Sequence, residues 1–503
     1  MTTIPNRSAG APKTVDSEHP VTWASTAAFV VLVTAFIWPA LFNGQPFFFP
    51  DTTTYIRGAD AGIQAAFGHK SAWSVAPDTQ KSVSSIDDKT VLTGRSPYYG
   101  ALLYLGDMTY GFWLTIVVQA CAVLGAIGLA LRAARVPTWP HGRVISACIA
   151  IATTAPFFTS LLMPDVFAGV AILTAAVLLS VRQRLTSLDY VVSFVLLVAA
   201  TAFHDSHVLI LFILLGSAAA YAVLTRSWTN WVGLLTILFA LAIGILAQSV
   251  FFAAVRHVVG VAPLRPPFLM ARTIEDGPGL RYIRATCPSN GFKVCEFADR
   301  LPLMADDFLW KSGPDGVFAA APPDVRRELS NEQVRFLLAV IRYDPWGQLS
   351  ASLKDAAMQV TEFGLTEFQY TDLEKESFAV KIPGAHLKTL RQSAAYRGTM
   401  PLRYFDAWLL FSVVLAGLAV AAALLRRVPR TRAGSPVVPI ILWIVFGVLV
   451  NAAVCGILSG PHDRYSARVA WLLPFAALLI AEALLSKTRS LSPTVETAQS
   501  PAA

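Results

Sequence analysis

Residues 437–458 decide the fold: they read VVPIILWIVFGVLVNAAVCGIL and contain no charged side chain. A helix of about 20 apolar residues is long enough to cross the hydrocarbon core of a bilayer. Comparable apolar stretches, two of them shorter, occur at residues 22–42, 111–131, 144–161, 166–181, 190–203, 208–224, 231–255, 405–425 and 469–485. The sequence therefore predicts an all-α polytopic membrane protein with about ten transmembrane helices.

The composition supports a membrane protein and argues against several other classes. Of the 503 residues, 55% are hydrophobic and 14% are charged, against about 25% charged in an average soluble protein. The formal net charge is +8, but the basic residues are spread over loops and form no single basic surface, so we expect no nucleic-acid partner. Five cysteines are too few for a disulfide scaffold, and their spacing fits no zinc finger.

Basic residues concentrate in alternate loops, which predicts the orientation of the chain. This set comprises Arg132, Arg135, Arg143, Arg182, Arg184, Arg226, Arg426, Arg427, Arg430, Arg432, Lys487 and Arg489. The positive-inside rule places these loops and both termini on the cytoplasmic side of a bacterial inner membrane. The predicted parts are a tail (1–21), a membrane module of about seven helices (22–255) with an outer loop (43–110), an extracytoplasmic domain (256–404), C-terminal membrane helices (405–486) and a second tail (487–503).

The predicted extracytoplasmic domain has the composition of a soluble protein. Its first half is rich in turn-forming residues, and its second half has helical periodicity, with one helix predicted to start at Pro322-Pro323-Asp324. Cys287 and Cys295 are separated by seven residues in the first half. Because the outside of a bacterial inner membrane is oxidising, we expect these two cysteines to form a disulfide.

Acids and histidines collect at the outward ends of the predicted spans, where a helical bundle brings them together. They are Asp51, Asp165, His204, Asp205, His207, His462 and Asp463. For any single residue, exposure to water explains the position equally well, and Asp51 also suits a helix cap. His204 and His207 share a helix face if the helix continues there, which permits a divalent cation without requiring one.

Arginines accompany these acids on the outward side. Arg57, Arg95 and Arg464 lie in or next to outward loops, and the planar guanidinium group suits bidentate binding of phosphate. An interfacial arginine can also simply extend its charge to the membrane surface, which is the alternative for Arg57. Acids and arginines together at a membrane surface favour a lipid-phosphate substrate and an acceptor that carries a hydroxyl group.

The order of these parts resembles the GT-C superfamily of membrane glycosyltransferases, which use polyprenyl-phosphate sugars. In that superfamily an acid follows the first span, where Asp51 lies here, and helices along the interface come next, as residues 96–104 predict. A second acid in the next outer loop corresponds to Asp165, and a large outer segment after the seventh span corresponds to residues 256–404. The chain departs from the pattern in three ways: it has no Asp-x-Asp pair in the first loop, no sugar-binding module and only about ten spans.

The resemblance implies a function in which Asp51 is the general base and Asp165 supports the acceptor or a cation. Arg464, then Arg95 and Arg57, would bind the phosphate of a polyprenyl-linked sugar. The acceptor would be a glycan, lipid or protein of the cell envelope. Two alternatives remain open: a transporter or flippase of a lipid-linked substrate, which predicts ionisable residues deep within spans, and a non-catalytic envelope assembly factor.

Overall fold

The computed structural model describes residues 23–74, 84, 88–181, 185–226, 230–426 and 436–491. Over these ranges the regular structure is helical, and β-pairing is limited to isolated bridges. The α-helices are α1 Trp23–Phe36, α2 Trp38–Asn43, α3 Pro50–Phe67, α4 Pro97–Tyr110, α5 Trp113–Ala133, α6 Arg143–Ala152, α7 Ala155–Ser160, α8 Val166–Ser180, α9 Ser187–Phe203, α10 Asp205–Thr225, α11 Trp231–Val259, α12 Phe268–Glu275, α13 Pro278–Thr286, α14 Ala305–Trp310, α15 Pro323–Tyr343, α16 Pro345–Thr361, α17 Asp372–Lys381, α18 Gly384–Leu390, α19 Ala394–Arg397, α20 Leu402–Leu425, α21 Val437–Ser459, α22 Asp463–Ala470 and α23 Leu472–Leu491.

The predicted fold class, an all-α polytopic membrane protein, is confirmed. Within the described residues, six helical segments are long and apolar enough to cross a membrane: α5, α10, α11, α20, α21 and the segment Asp463–Leu485. Three of the other predicted spans are shorter apolar helices, Ser25–Phe36, Val166–Ser180 and Ser187–Phe203. The stretch 144–161 is interrupted, because α6 ends at Ala152 and α7 begins at Ala155.

Threonine hydroxyls bond to backbone carbonyls around this interruption. Thr153 Oγ1 donates to the carbonyl of Ile149 at 2.6 Å, and Thr154 Oγ1 donates to Ala467 at 2.6 Å. Thr159 donates to the carbonyl of Phe36, next to the break between α1 and α2. Backbone groups freed by a break within a membrane need such partners, since lipid offers none. These hydrogen bonds hold α7 against the end of α1, and hold Thr154, which precedes α7, against α22.

The central helix of the bundle is α8, whose residues from Val166 to Leu178 are all buried. Helices α5, α9, α10 and α21 pack against it. Gly169 lies under the indole of Trp471, which a Cβ would meet at 2.5 Å, and Gly447 of α21 lies equally close to Ile172. Small residues at such contacts allow membrane helices to approach closely. Because α8 is fixed on all sides, its N-terminal residue Asp165 has a fixed position.

The segment between α11 and α20 divides into two parts. Residues between Met270 and Val340 form a hydrophobic core of their own, whereas Leu365 to Leu390 join the core of the membrane bundle. The first part contains α12 to α15, a 3₁₀ helix Lys293–Arg300 and a disulfide between Cys287 and Cys295. The predicted tail 1–21, residues 492–503 of the second tail, and Arg182, Arg184, Arg427, Arg430 and Arg432 lie outside the described residues.

Candidate functional site

Backbone pairing between two loops brings the first and second predicted acids to one end of the bundle. The amide of Phe47 donates to the carbonyl of Ser160, and the amide of Leu162 donates to the carbonyl of Phe47, both at 2.9 Å. Asp51 is the second residue of α3, shortly after the first of these loops, and Asp165 directly precedes α8, shortly after the second. Because the two loops are paired and each acid follows one of them closely, both carboxylates lie at the same end of the bundle.

Asp51 forms an ion pair with Arg95, whose Nη2 lies 2.7 Å from Asp51 Oδ2. Asp51 lies in the first turn of α3, where the helix dipole favours a negative charge. About a quarter of each side chain is exposed. Gly100 of α4 permits this arrangement, because a Cβ there would lie 2.3 Å from the carbonyl oxygen of Tyr55. Close contact of α3 and α4 thus positions Asp51 beside Arg95.

Asp165 lies between two arginines. Arg464 Nε and Arg468 Nη1 are each 3.5 Å from Asp165 Oδ1, and the Asp165 side chain is only 3% exposed. Its carboxylate does not cap α8. Asn451 holds Arg468 from the other side, since Asn451 Oδ1 accepts from Arg468 Nη2 at 2.9 Å. Ser206 lies 3.3 Å from the same nitrogen. Asp165 is therefore part of a buried ion network, which favours a supporting role.

Arg464 is buried but keeps unused hydrogen-bond donors. Its side chain is 10% exposed, and its guanidinium carbon lies 4.2 Å from the centre of the Phe49 ring. Neither Nε nor Nη1 has a hydrogen-bond partner, although Nε lies near Asp165. Arg95 Nε is also buried without a partner. Unsatisfied donors on buried guanidinium groups are costly, so they point to an acceptor that a ligand supplies.

Tyr55 places a hydroxyl among these charges. It lies four residues after Asp51 on α3, on the same helix face, and its hydroxyl is buried without a hydrogen-bond partner. Burial raises the pKa of Tyr55 well above its ordinary value, while Arg95 lowers it and Asp51 raises it. The phenol therefore stays protonated at neutral pH and offers a further donor. We use the name basic pocket for this cluster of side chains, not for a cavity; its members are Asp51, Tyr55, Arg95, Asp165, Glu367, Arg464 and Arg468.

Glu367 and His462 form the edge of the basic pocket. His462 Nδ1 lies 3.2 Å from Glu367 Oε1. Burial raises the pKa of Glu367 to about 7, although Arg464 lowers it, and Asp165 raises it further. Burial also lowers the pKa of His462, with Arg464 acting in the same direction. At pH 7 Glu367 is therefore about half protonated and His462 is mostly neutral, and the three arginines outweigh Asp51 and Asp165.

The predicted histidines lie beside the basic pocket: the ring centres of His204 and His207 are 5.2 Å apart, and His204 lines a small cavity together with Arg95. The chain turns at His204, between α9 and α10, so His204 and His207 do not share a continuous helix face. His204 Nδ1 accepts from the amide of Ser206 at 3.1 Å, and His207 Nδ1 lies 2.9 Å from the carbonyl of Ala200. In the described part of the chain, no group of three His, Cys, Asp or Glu side chains could hold a metal ion.

The remaining predicted residues have other neighbours. Asp205 pairs with Arg265 at 3.4 Å in an exposed position. Asp463 accepts from Thr366 Oγ1 at 3.3 Å. Arg57 is six residues after Asp51, which turns it to a different face of α3. Tyr55 and Glu367 were not predicted; the spacing from Asp51 to Tyr55 was a usable signal, whereas Glu367 reaches the pocket only through the tertiary fold.

The chain matches no protein-family model and no curated protein. Its structure is similar to that of ArnT from Cupriavidus metallidurans bound to undecaprenyl phosphate. That match has 14% sequence identity and a TM-score of 0.31, and it covers 93% of this chain and 78% of the other. The function proposed below rests on the geometry of the basic pocket and not on this likeness.

Proposed function

We propose that the basic pocket binds the phosphate of a polyprenyl-phosphate sugar and transfers the sugar to a hydroxyl group of a cell-envelope acceptor. The observation that carries the proposal is Arg464, a buried guanidinium with two nitrogens that lack hydrogen-bond partners. Arg95 Nε and the Tyr55 hydroxyl are further unpartnered donors in the same pocket. A phosphate group has several strong acceptor oxygens, so one phosphate can satisfy donors from different helices.

The charges of the pocket favour an anion over a neutral ligand. Arg95, Arg464 and Arg468 are balanced in part by Asp51 and Asp165. Phosphate gains negative charge as the bond to the sugar breaks, and fixed cations stabilise that change more than they stabilise the ground state. Arg464 and Arg95 therefore have two roles in the proposal: they bind the donor and they stabilise the leaving group.

Asp51 is the proposed general base. The acceptor oxygen attacks the anomeric carbon, its proton passes to Asp51, and the bond between that carbon and the phosphate oxygen breaks. The electron pair leaves with the polyprenyl phosphate. Asp51 is about a quarter exposed, so an acceptor can reach it, whereas Asp165 is buried between two arginines. We therefore assign proton transfer to Asp51 and the positioning of Arg464 and Arg468 to Asp165.

The pocket's place at the helix ends suits a lipid substrate. Asp165 precedes α8, and Arg464 lies in the first turn of the segment Asp463–Leu485. A phosphate bound there would leave its apolar chain beside the membrane helices. A transporter accounts for the interruption between α6 and α7, but it also predicts ionisable residues deep in the spans. The deepest charge of this pocket, Arg468, bonds to Asn451 about two turns inside α21, and the other charges lie nearer the helix ends. We therefore favour the transferase.

Binding of a defined lipid tests the phosphate assignment. Purified protein in detergent should retain undecaprenyl phosphate and should not retain undecaprenol, which lacks the phosphate, when the two are compared by native mass spectrometry. Arg464→Ala should lose the bound phospholipid, and Arg464→Lys should bind it weakly because lysine lacks the planar fork. Arg391→Ala, an exposed arginine outside the pocket, is the control. Equal retention by Arg464→Ala and wild type would refute the assignment.

A further inference from the structure

Helix α16 has its polar and apolar faces reversed relative to a helix in water. Gln348 and Gln359 are buried, whereas Trp346, Leu349 and Leu353 are 78%, 48% and 60% exposed. A surface helix of a soluble domain normally buries its apolar face and exposes its polar face. Exposure of a large aromatic and two leucines on one helix marks a surface that another apolar phase covers.

The buried face of α16 packs along α21, which is one of the candidate membrane spans. Gly456, in the last turns of α21, permits a close approach: a Cβ there would lie 2.6 Å from the carbonyl oxygen of Asp355. Gln359 Nε2 donates to the carbonyl of His462 at 2.8 Å, just beyond the end of α21. These contacts fix α16 at the end of a membrane helix, level with the basic pocket.

Neighbouring helices continue the apolar surface of α16. Val334, Leu338 and Ile341 are exposed at helical spacing on α15, which Asp344 connects to α16. On the other side, Leu449 of α21 is exposed on the surface of a membrane span. The exposed residues of α15 and α16 therefore adjoin a surface that already faces lipid.

The charges of α16 agree with a location at the membrane surface. The helix carries two charged residues, Lys354 and Asp355. Asp355 is turned inward and pairs with Arg272 at 2.7 Å. Lys354 is exposed, and a lysine beside an apolar surface can extend its ammonium group to lipid headgroups. No acidic side chain of α16 is thus left on the apolar face.

We propose that α16, together with the exposed apolar residues of α15, inserts its apolar face into the leaflet next to the basic pocket. The occupant of this face is lipid, in the manner of an interfacial amphipathic helix. In this arrangement, one side of the segment between α11 and α20 lies in the membrane surface, and the rest of the segment faces water. Since α16 contacts His462 and α21 directly, this anchor fixes the height of the pocket's edge relative to the lipid surface.

Nitroxide accessibility in vesicles tests the proposal. Full-length protein in which Cys121 and Cys148 are alanine and Cys455 is serine would carry a spin label at Leu353→Cys and be reconstituted into phosphatidylethanolamine and phosphatidylglycerol. Leu415→Cys, exposed on the span α20, is the lipid reference, and Ser312→Cys, exposed on a loop, is the water reference. Oxygen concentrates in lipid and a charged nickel complex in water, so the ratio of their collision rates reports the environment.

The label at position 353 should show an oxygen-to-nickel ratio several-fold higher than the label at 312 and close to that at 415. A second label at Leu349→Cys should give the same result, which guards against local disruption at one position. A ratio at 353 equal to that at 312 would overturn the proposal by placing the face in water. Low collision rates with both reagents would also overturn it, because they would show that protein, such as a second copy of the chain, covers the face.

Discussion

The guanidinium of Arg464 stacks on the ring of Phe49, with 4.2 Å between the guanidinium carbon and the ring centre. Phe49 is two residues before Asp51, so this cation–π contact links the proposed phosphate ligand to the segment that carries the proposed base. It also covers one face of the guanidinium. The N–H groups at its edge are then the part of Arg464 that remains to bind an anion.

Replacement of Asp165 by asparagine should mainly lower stability. The carboxylate lies between Arg464 and Arg468 in a buried position, and removal of one partner from a buried ion pair costs about 3 kcal/mol or more. Thermal unfolding in detergent should show the loss. Asp372→Asn is the control, since Asp372 is 94% exposed, and we expect little change there. An unchanged melting temperature for Asp165→Asn would contradict the structural role.

Replacement of Tyr55 by phenylalanine should weaken phosphate binding without lowering stability. The hydroxyl has no partner within the protein, and the ring packs edge to face on Tyr99 at 5.3 Å, a contact that phenylalanine keeps. A hydrogen bond to a charged group contributes about 1.5 to 3 kcal/mol, so the affinity for undecaprenyl phosphate should fall about tenfold or more. Tyr282→Phe, in the separate core, should bind normally. Unchanged affinity in Tyr55→Phe would remove the hydroxyl from the site.

Glu367 should make stability depend on pH. Burial raises its pKa from 4.5 to about 7, so the folded protein binds a proton more tightly than the unfolded chain does. The stability that proton binding at Glu367 gives the folded protein is fully present below about pH 4.5, and it is lost as the pH rises through 7. The melting temperature of wild type relative to Glu367→Gln should therefore decrease between pH 5 and 8. Glu328→Gln, a more exposed residue, should follow wild type; parallel curves for wild type and Glu367→Gln would contradict the assignment.

The side of the membrane on which the pocket lies is a prediction from the arginine pattern. Ser312 and Ser187 are both exposed and lie at opposite ends of the bundle. A membrane-impermeant maleimide added to intact cells should label Ser312→Cys and should not label Ser187→Cys until the cells are opened, with the parent protein as the background control. Labelling of Ser187→Cys alone in intact cells would place the pocket in the cytoplasm and exclude an outer-face transferase.

The sequence predicted the helices well because hydrophobic stretches in a membrane chain depend on local composition. It also predicted that Asp51 and Asp165 lie at one end of the bundle, since that follows from the order of spans. It did not predict the pairing of Asp51 with Arg95 or of Asp165 with Arg468, because side-chain partners depend on the tertiary fold. The sequence could not show whether the helix continues through His204: the backbone is extended there, and the rings of His204 and His207 still lie 5.2 Å apart. Glu367 was missed for a similar reason, as its loop reaches the pocket from a distant part of the chain.

Turnover of a lipid-linked sugar by wild type and Asp51→Asn is the most direct test of the account. Lipid extract from a deletion strain, which should accumulate the donor, would be incubated with each purified protein and with a cell-envelope fraction of the same strain, which supplies the acceptor. Mass spectrometry would follow loss of the sugar-linked lipid and release of polyprenyl phosphate. Wild type should release polyprenyl phosphate, and Asp51→Asn should do so about a hundredfold to ten-thousandfold more slowly, with a similar melting temperature. Release at the wild-type rate by Asp51→Asn, or no release by wild type, would contradict the proposed glycosyl transfer.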